Sequence, residues 1–283
     1  CGISGIKPSF GLVSRMGVTP LSYSLDTAGP MARGVEDLGL AMSVIAGYDP
    51  ADPVSQRGVS QDYGIGETNE RLDGLRIGVP RDYIWEFMDS EVRAAFWGAM
   101  KTFEDLGATI SELRIPELEW VPSIAVTITT SEAAAVHGDR VRTDGPAYDP
   151  AVRRRIETGM FISAADYAKA LRARALLAQR VNLHFRDVDL IATPTVPVPS
   201  PLRDETTVDV DGEQVNTREA LLRLTRIFNL TRMPAVAVPA GFTGKGLPVG
   251  FQLAAPLFED IRALRAANAY QNVTVWHKRI PAI

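Results

Sequence analysis

The sequence predicts an α/β fold in which a mixed, largely parallel sheet lies between helices. Three observations carry that expectation. Residues 75–80, the amphipathic run 90–106 and residues 108–110 follow one another as strand, helix and strand, the order that builds a parallel sheet. Three later runs, 189–194, 235–239 and 247–253, are short, apolar and bounded by proline and glycine, as strands buried on both faces are. Between residues 123 and 185 the pattern is helical, which supplies cover for such a sheet.

Taken in order, the opening run with Gly2, Gly5 and Pro8 reads as loop, and Gly11, Pro20, Gly29 and Pro30 continue it across a surface. The first helix is VEDLGLAMSVI at 35–45. Val35, Leu38, Met42 and Ile45 share one face, Glu36 and Asp37 favour the positive end of the helix dipole, and Gly47 ends it. In the helix at 90–106 the inner positions are Phe96, Met100 and Phe103. The helix at 164–185 carries Tyr167, Leu171, Ala175, Ala178 and Val181 on one stripe. Arg172, Arg174 and Arg180 then form a solvated basic face. A last helix at 261–272 turns Leu264, Ala267 and Ala269 inward.

With 283 residues and 46% hydrophobic content, the chain can bury a large core, and no linker divides it, so a single domain over 1–283 is expected. Thirty Lys and Arg against 34 Asp and Glu leave a net charge of −4. That balance gives no basic surplus for nucleic acid, and no apolar run is long enough to span a bilayer. The expected partner is a small molecule. Cys1 is the only cysteine, so neither a disulfide framework nor a thiolate metal set exists, and a cytoplasmic setting fits. His137, His184 and His277 share no metal-ligand spacing, so no metal is expected, and no serine sits in a Gly-x-Ser-x-Gly elbow.

Most specific is the start, CGISGIKPSFGLVSR at 1–15. It resembles the segment that follows the glycine- and serine-rich signature of the amidase signature family. Ser24-Leu25-Asp26, Gly29-Pro30, Ala32-Arg33, Val35-Glu36-Asp37 and the Asp49-Pro50 region continue the pattern. It returns at 189–195, Phe228-Asn229-Leu230-Thr231 with Pro234-Ala235, Val238-Pro239 with Gly241, and 247–253.

The resemblance implies an amidase-signature fold of which this chain supplies part, the C-terminal portion of one domain. It also implies hydrolysis of a linear carboxylic amide to acid and ammonia or amine. The family works through an acyl-serine, with a serine nucleophile, a bridging serine in a cis peptide and a lysine base, so the resemblance implies no metal and no cofactor. All of these lie before the residue matching Cys1, so no catalytic residue is expected here. The chain alone is expected to be inactive, with the N-terminal portion of the same protein as its partner and a homodimer as a further possibility. Lys7 matches the family's Lys-Pro position rather than its base, and is expected to make a loop ion pair.

Substrate-binding candidates come from the same likeness. Ser131-Glu132-Ala133 and the 152–156 run with Gly159 resemble the region that sets specificity. In the amidotransferase that draws ammonia from glutamine, an Arg of the Arg-Arg-Ile run and an Asp upstream of Asn-Leu grip the substrate. Arg154 or Arg155 fits the first role, since a planar guanidinium pairs a carboxylate at two points. The place of the acid holds Leu222, which favours a less polar amide. Phe161, Tyr167, Ile227 and Phe228 are expected to wall the pocket. Three alternatives stand beside this one: a glutamine amidotransferase A-type subunit, a non-catalytic partner subunit, and an N-terminal cysteine hydrolase whose nucleophile is Cys1.

Overall fold

The computed structural model describes residues 1–59, 61–65, 71–210 and 212–280. Strand β1 (Ser4–Lys7) is followed by β2 (Met31–Ala32), α1 (Val35–Ile45), β3 (Arg76–Pro80), α2 (Ser90–Asp105) and β4 (Thr109–Leu113). A helical stretch comprises α3 (Val121–Asp144), α4 (Pro150–Gly159) and α5 (Ala164–Leu183). Then come β5 (Leu190–Pro194), the hairpin of β6 (Thr207–Val210) and β7 (Glu213–Asn216), α6 (Thr217–Leu222), α7 (Thr225–Leu230), β8 (Ala235–Phe242), β9 (Pro248–Ala254) and α8 (Asp260–Asn272).

The main sheet has the order β2-β1-β8-β9-β5-β3-β4. Its β5-β3-β4 side pairs in parallel, and the remaining neighbours pair antiparallel. Following those pairings across the sheet, β1 and β9 run one way and the other strands run the opposite way, so the mixed, largely parallel α/β architecture holds. Side chains alternate across each strand. Leu190 and Ala192 of β5 therefore enter a core with Leu38 and Met42 of α1, Phe96 and Phe103 of α2, and Leu264 and Tyr270 of α8. Ile191 enters the opposite core with Ile124 and Ile128 of α3, Leu177 and Val181 of α5, and Phe228 of α7. Phe103, Phe251 and Tyr270 lock the first core by ring contacts of 5.0–5.7 Å.

Helix starts follow capping chemistry. Asp89 accepts from the backbone N–H of Glu91 and Val92 to start α2, and Asp149 does the same for Ala151 and Val152 of α4.

Three features depart from expectation. Residues 4–7 are a strand rather than a loop, because β2 and β8 supply hydrogen-bonding partners on both sides despite Gly5. On α5 the buried positions are Ala170, Leu177 and Val181, so Ala175 faces out and Arg174 turns inward. The β6-β7 hairpin has its own small core of Val198, Val208, Val210 and Ala220. Its strands are four residues long and half polar, too short for a period-two signal to stand out.

Candidate functional site

In an open α/β sheet, ligands collect where the strands end at their carboxyl termini. That edge holds Thr195, just past β5, and because β1 runs against β8 it also holds Cys1. A cavity of about 350 Å³ lies there, walled by Cys1, Ile3, Thr195, Leu221, Val238 and Pro248. A second cavity of about 510 Å³ meets it at Leu221 and is lined by Thr206, Asn216, Thr217, Arg218 and Leu222. The walls are mostly apolar, yet each cavity carries a buried hydroxyl without a hydrogen-bond partner among the described residues: Thr195 Oγ1 in the first and Thr217 Oγ1 in the second. Thr217 is 9% exposed, so bulk water does not satisfy it, and a buried hydroxyl left unpaired costs roughly 1–3 kcal/mol.

Short α6 places these residues. Asn216 caps it by accepting from Glu219 N at 3.2 Å, and Thr217 N donates to Thr206 O at 3.0 Å. At its other end Arg223 lies over the Tyr83 ring at 3.7 Å and donates to Tyr83 O (2.9 Å) and to Glu86 Oε2 (2.6 Å). Tyr83 and Phe87 hold the clasping loop in left-handed conformations (φ 67° and 54°), strain of order 1 kcal/mol each that the surrounding contacts outweigh. The clasp fixes Leu221 and Leu222 against the cavities.

The rim is charged. Glu219 accepts from Arg226 at 2.5 Å and Arg218 at 3.4 Å, and the Arg226 hydrogen bond is the main reason its carboxyl stays below the usual range. Burial, then repulsion from Arg155 and Arg226, lowers Arg218. Three guanidinium groups thus face one carboxylate.

Of the sequence candidates, Arg155 is half-buried, and its charge is felt by Arg218 and Glu219 of this rim. Arg154 is exposed on α4, and Phe161 is 89% exposed on open surface. Ile227 (2%) and Phe228 (1%) are closed inside the core between α3, α5 and the sheet, which corrects their assignment as pocket walls: α7 packs its inner face on α3 and leaves them no surface. Tyr167 instead donates to Glu132 at 2.7 Å. Glu132 also accepts from Ser22 Oγ (2.5 Å) and Ser24 N (3.0 Å). Burial pushes its carboxyl up, and these hydrogen bonds outweigh burial and hold it below the usual range. Sequence reasoning passes over Thr195, Thr217 and Arg218. Their signal is absent from spacing, because they meet through the β5 end and the hairpin.

Among the described residues Lys7 makes no ion pair within 4 Å, unlike the loop ion pair expected of it. Its ammonium donates to Pro8 O at 2.8 Å, and burial, opposed by Asp260, lowers its pKa to about 7 from 10.5. Between those values the unfolded chain binds the proton and the native protein does not, so stability is expected to rise with pH from about 7 to about 9.5. Below pH 7 both states are protonated and the slope vanishes. Tyr63 and Tyr270, raised by burial, act only near pH 10 and above, in the opposite sense. Urea titrations over that window should show the slope in the wild type and not in Lys7→Met.

Among the described residues, no helix is long and apolar enough to cross a membrane, and no group of three or more His, Cys, Asp or Glu could hold a metal ion.

The sequence model of the Amidase family matches residues 1–264. The A-type subunit of a glutamyl-tRNA(Gln) amidotransferase from Chloroflexus aggregans is 38% identical over 308 residues, covering 99% of this chain and 61% of its own. An amidase from Pseudomonas putida is 35% identical over 288 residues, covering 100% of this chain and 61% of its own. A solved structure, described as a vestigial protein complex that reveals the origins of an s-triazine catabolic enzyme, superposes with a TM-score of 0.88. It is 32% identical, over 96% of this chain and 59% of that one. The chain spans about three fifths of the length of these relatives.

Proposed function

The chain belongs to the amidase family, and on that footing we propose that it forms the substrate-binding part of an enzyme that hydrolyses an uncharged linear amide. In this proposal a serine preceding Cys1 attacks the amide carbonyl, and a desolvated lysine takes its proton through a bridging serine. Backbone N–H groups hold the oxyanion, the protonated amine leaves, and water releases the acid. The protein works in the cytoplasm without metal or cofactor.

The observation that carries this reading is the largely apolar cavity beside Cys1 at the carboxyl edge of the sheet, which shares Leu221 with a second cavity lined by Leu222 and by polar residues. Leu222 lines the second cavity, so the position that resembles the family's acid offers no carboxylate to a substrate ammonium, and the carboxylate that does line that cavity is Glu205. A second reading, an amidotransferase component that uses glutamine, is favoured by Arg155 at the rim, where a guanidinium suits an α-carboxylate.

Ammonia release measured on the complete polypeptide that carries this chain separates the two. Uncharged amides are expected to exceed glutamine in kcat/KM by about tenfold or more, and Leu222→Asp to shift that ratio toward glutamine. Glutamine as the better wild-type substrate would replace the proposal. A serine-directed acylating reagent should leave its adduct on a serine preceding Cys1, and an adduct on Cys1 itself would move the chemistry to the thiol.

A further inference from the structure

The two cavities of the candidate site have one residue in common. Among the described residues only Leu221 lines both. On one side of it lie about 350 Å³ walled by Ile3, Val238 and Pro248, and on the other about 510 Å³ lined by Thr206, Asn216 and Arg218. Leu221 is half-buried, so its isobutyl group keeps surface that faces these spaces. Ligand pockets span about 300 to 1,000 Å³; the first cavity alone lies near the lower bound and the two joined lie near the upper.

The position of Leu221 is enforced from both sides. Helix α6 has six residues, fewer than an isolated helix needs to persist, so its neighbours must hold it. On one flank Leu221 packs against the hairpin core of Val198, Val208, Val210 and Ala220. Just past the end of α6, Arg223 is anchored by the 3.7 Å approach to the Tyr83 ring, a second ring, Phe87, at 5.4 Å, and hydrogen bonds to Tyr83 O and Glu86 Oε2. Its side chain is only 14% exposed, which distinguishes this anchor from a loose surface ion pair.

We propose that Leu221 is a partition that sets the length of acyl chain the site accepts, and that Arg223 is the positioning residue that holds the partition in place. An acyl chain that starts beside Cys1 follows apolar walls and stops at Leu221. Beyond it stand the hydroxyl, amide and guanidinium groups of Thr206, Asn216 and Arg218, which an aliphatic chain would strip of water without replacing their hydrogen bonds. The site therefore selects amides of short aliphatic acids. Without the partition, a longer chain with a polar end would reach those groups. This inference rests on the amide-hydrolase reading for the identity of the ligand and deepens it by naming the acyl group.

The test measures calorimetric binding of butyramide and of 8-hydroxyoctanamide to the complete polypeptide carrying this chain, with ammonia release read in parallel. Leu221→Ala is expected to move the ratio of the two affinities toward the longer amide by about tenfold or more. Leu221→Phe, which thickens the partition, should move it the other way. Arg223→Met loses both hydrogen bonds and should shift the ratio in the direction of Leu221→Ala by about threefold or more, whereas an equal loss for both amides would make Arg223 merely structural and overturn its assignment. A ratio unchanged in both Leu221 variants overturns the partition, as does a wild type that binds neither amide. Ammonia release with an unshifted ratio removes the partition and leaves the hydrolase reading; a shifted ratio without ammonia release removes that reading and leaves the partition.

Discussion

Replacing Gly159 by alanine is expected to cost about 3 kcal/mol and to displace the charged rim that carries Arg155, because another helix's backbone occupies the place a Cβ would take. A Cβ at Gly159 would lie 1.9 Å from Thr130 O and 2.5 Å from Thr130 C, with Ala134 Cβ at 3.0 Å. The obstacle is the backbone of α3, which cannot turn away as a side chain could. Helix α4 must therefore back off α3, taking Arg155 with it. Urea denaturation should show the loss in stability, and KM should rise more than kcat falls if Arg155 acts at the rim. Gly98 on α2 is the control: nothing lies within 4 Å of a Cβ there, and Gly98→Ala is expected to stabilise by about 0.5–1 kcal/mol. Equal effects at the two glycines would refute the steric account.

Asp260→Ala should destabilise by about 3 kcal/mol. Asp260 is fully buried at the start of α8 and accepts from Ser9 N at 2.8 Å and Ser9 Oγ at 2.6 Å, while Ser9 Oγ accepts from Phe258 N at 2.8 Å. Burial raises the carboxyl, and the Ser9 hydrogen bonds and Lys7 oppose that rise. Alanine leaves two buried donors of Ser9 without an acceptor and removes the acid nearest Lys7. Asp260→Asn keeps one acceptor and should lose roughly half as much. A loss within about 0.5 kcal/mol for the alanine variant would mean that water replaces the carboxylate.

These two positions mark where sequence reasoning reaches and where it stops. Gly159 stands out in the sequence beside the Arg-Arg-Ile run, but why glycine is needed there depends on Thr130, a residue on another helix. Asp260 does not stand out, because its partner Ser9 lies 251 positions away and no spacing rule links them. Arg174 shows the same limit in a periodic element. A stripe drawn one position off turns it outward, and its bond to Ser24, 150 residues distant, decides the face.

The amino-acid sequence by itself determined the α/β class, the helices at 35–45 and 90–106, the strands β5, β8 and β9 and the family likeness, because periodicity, capping and turn chemistry are local and ordered motifs survive in one dimension. Only the tertiary structure decided that residues 4–7 pair as a strand and that Ile227 and Phe228 are core. It alone brought Thr195, Thr217 and Leu222 to two cavities that share Leu221 and left the Arg232 Nε without a hydrogen-bond partner among the described residues. Each of those outcomes depends on which distant segment arrives alongside, and burial, hydrogen-bond completion and charge repulsion are settled by that neighbour rather than by the residues next in the chain.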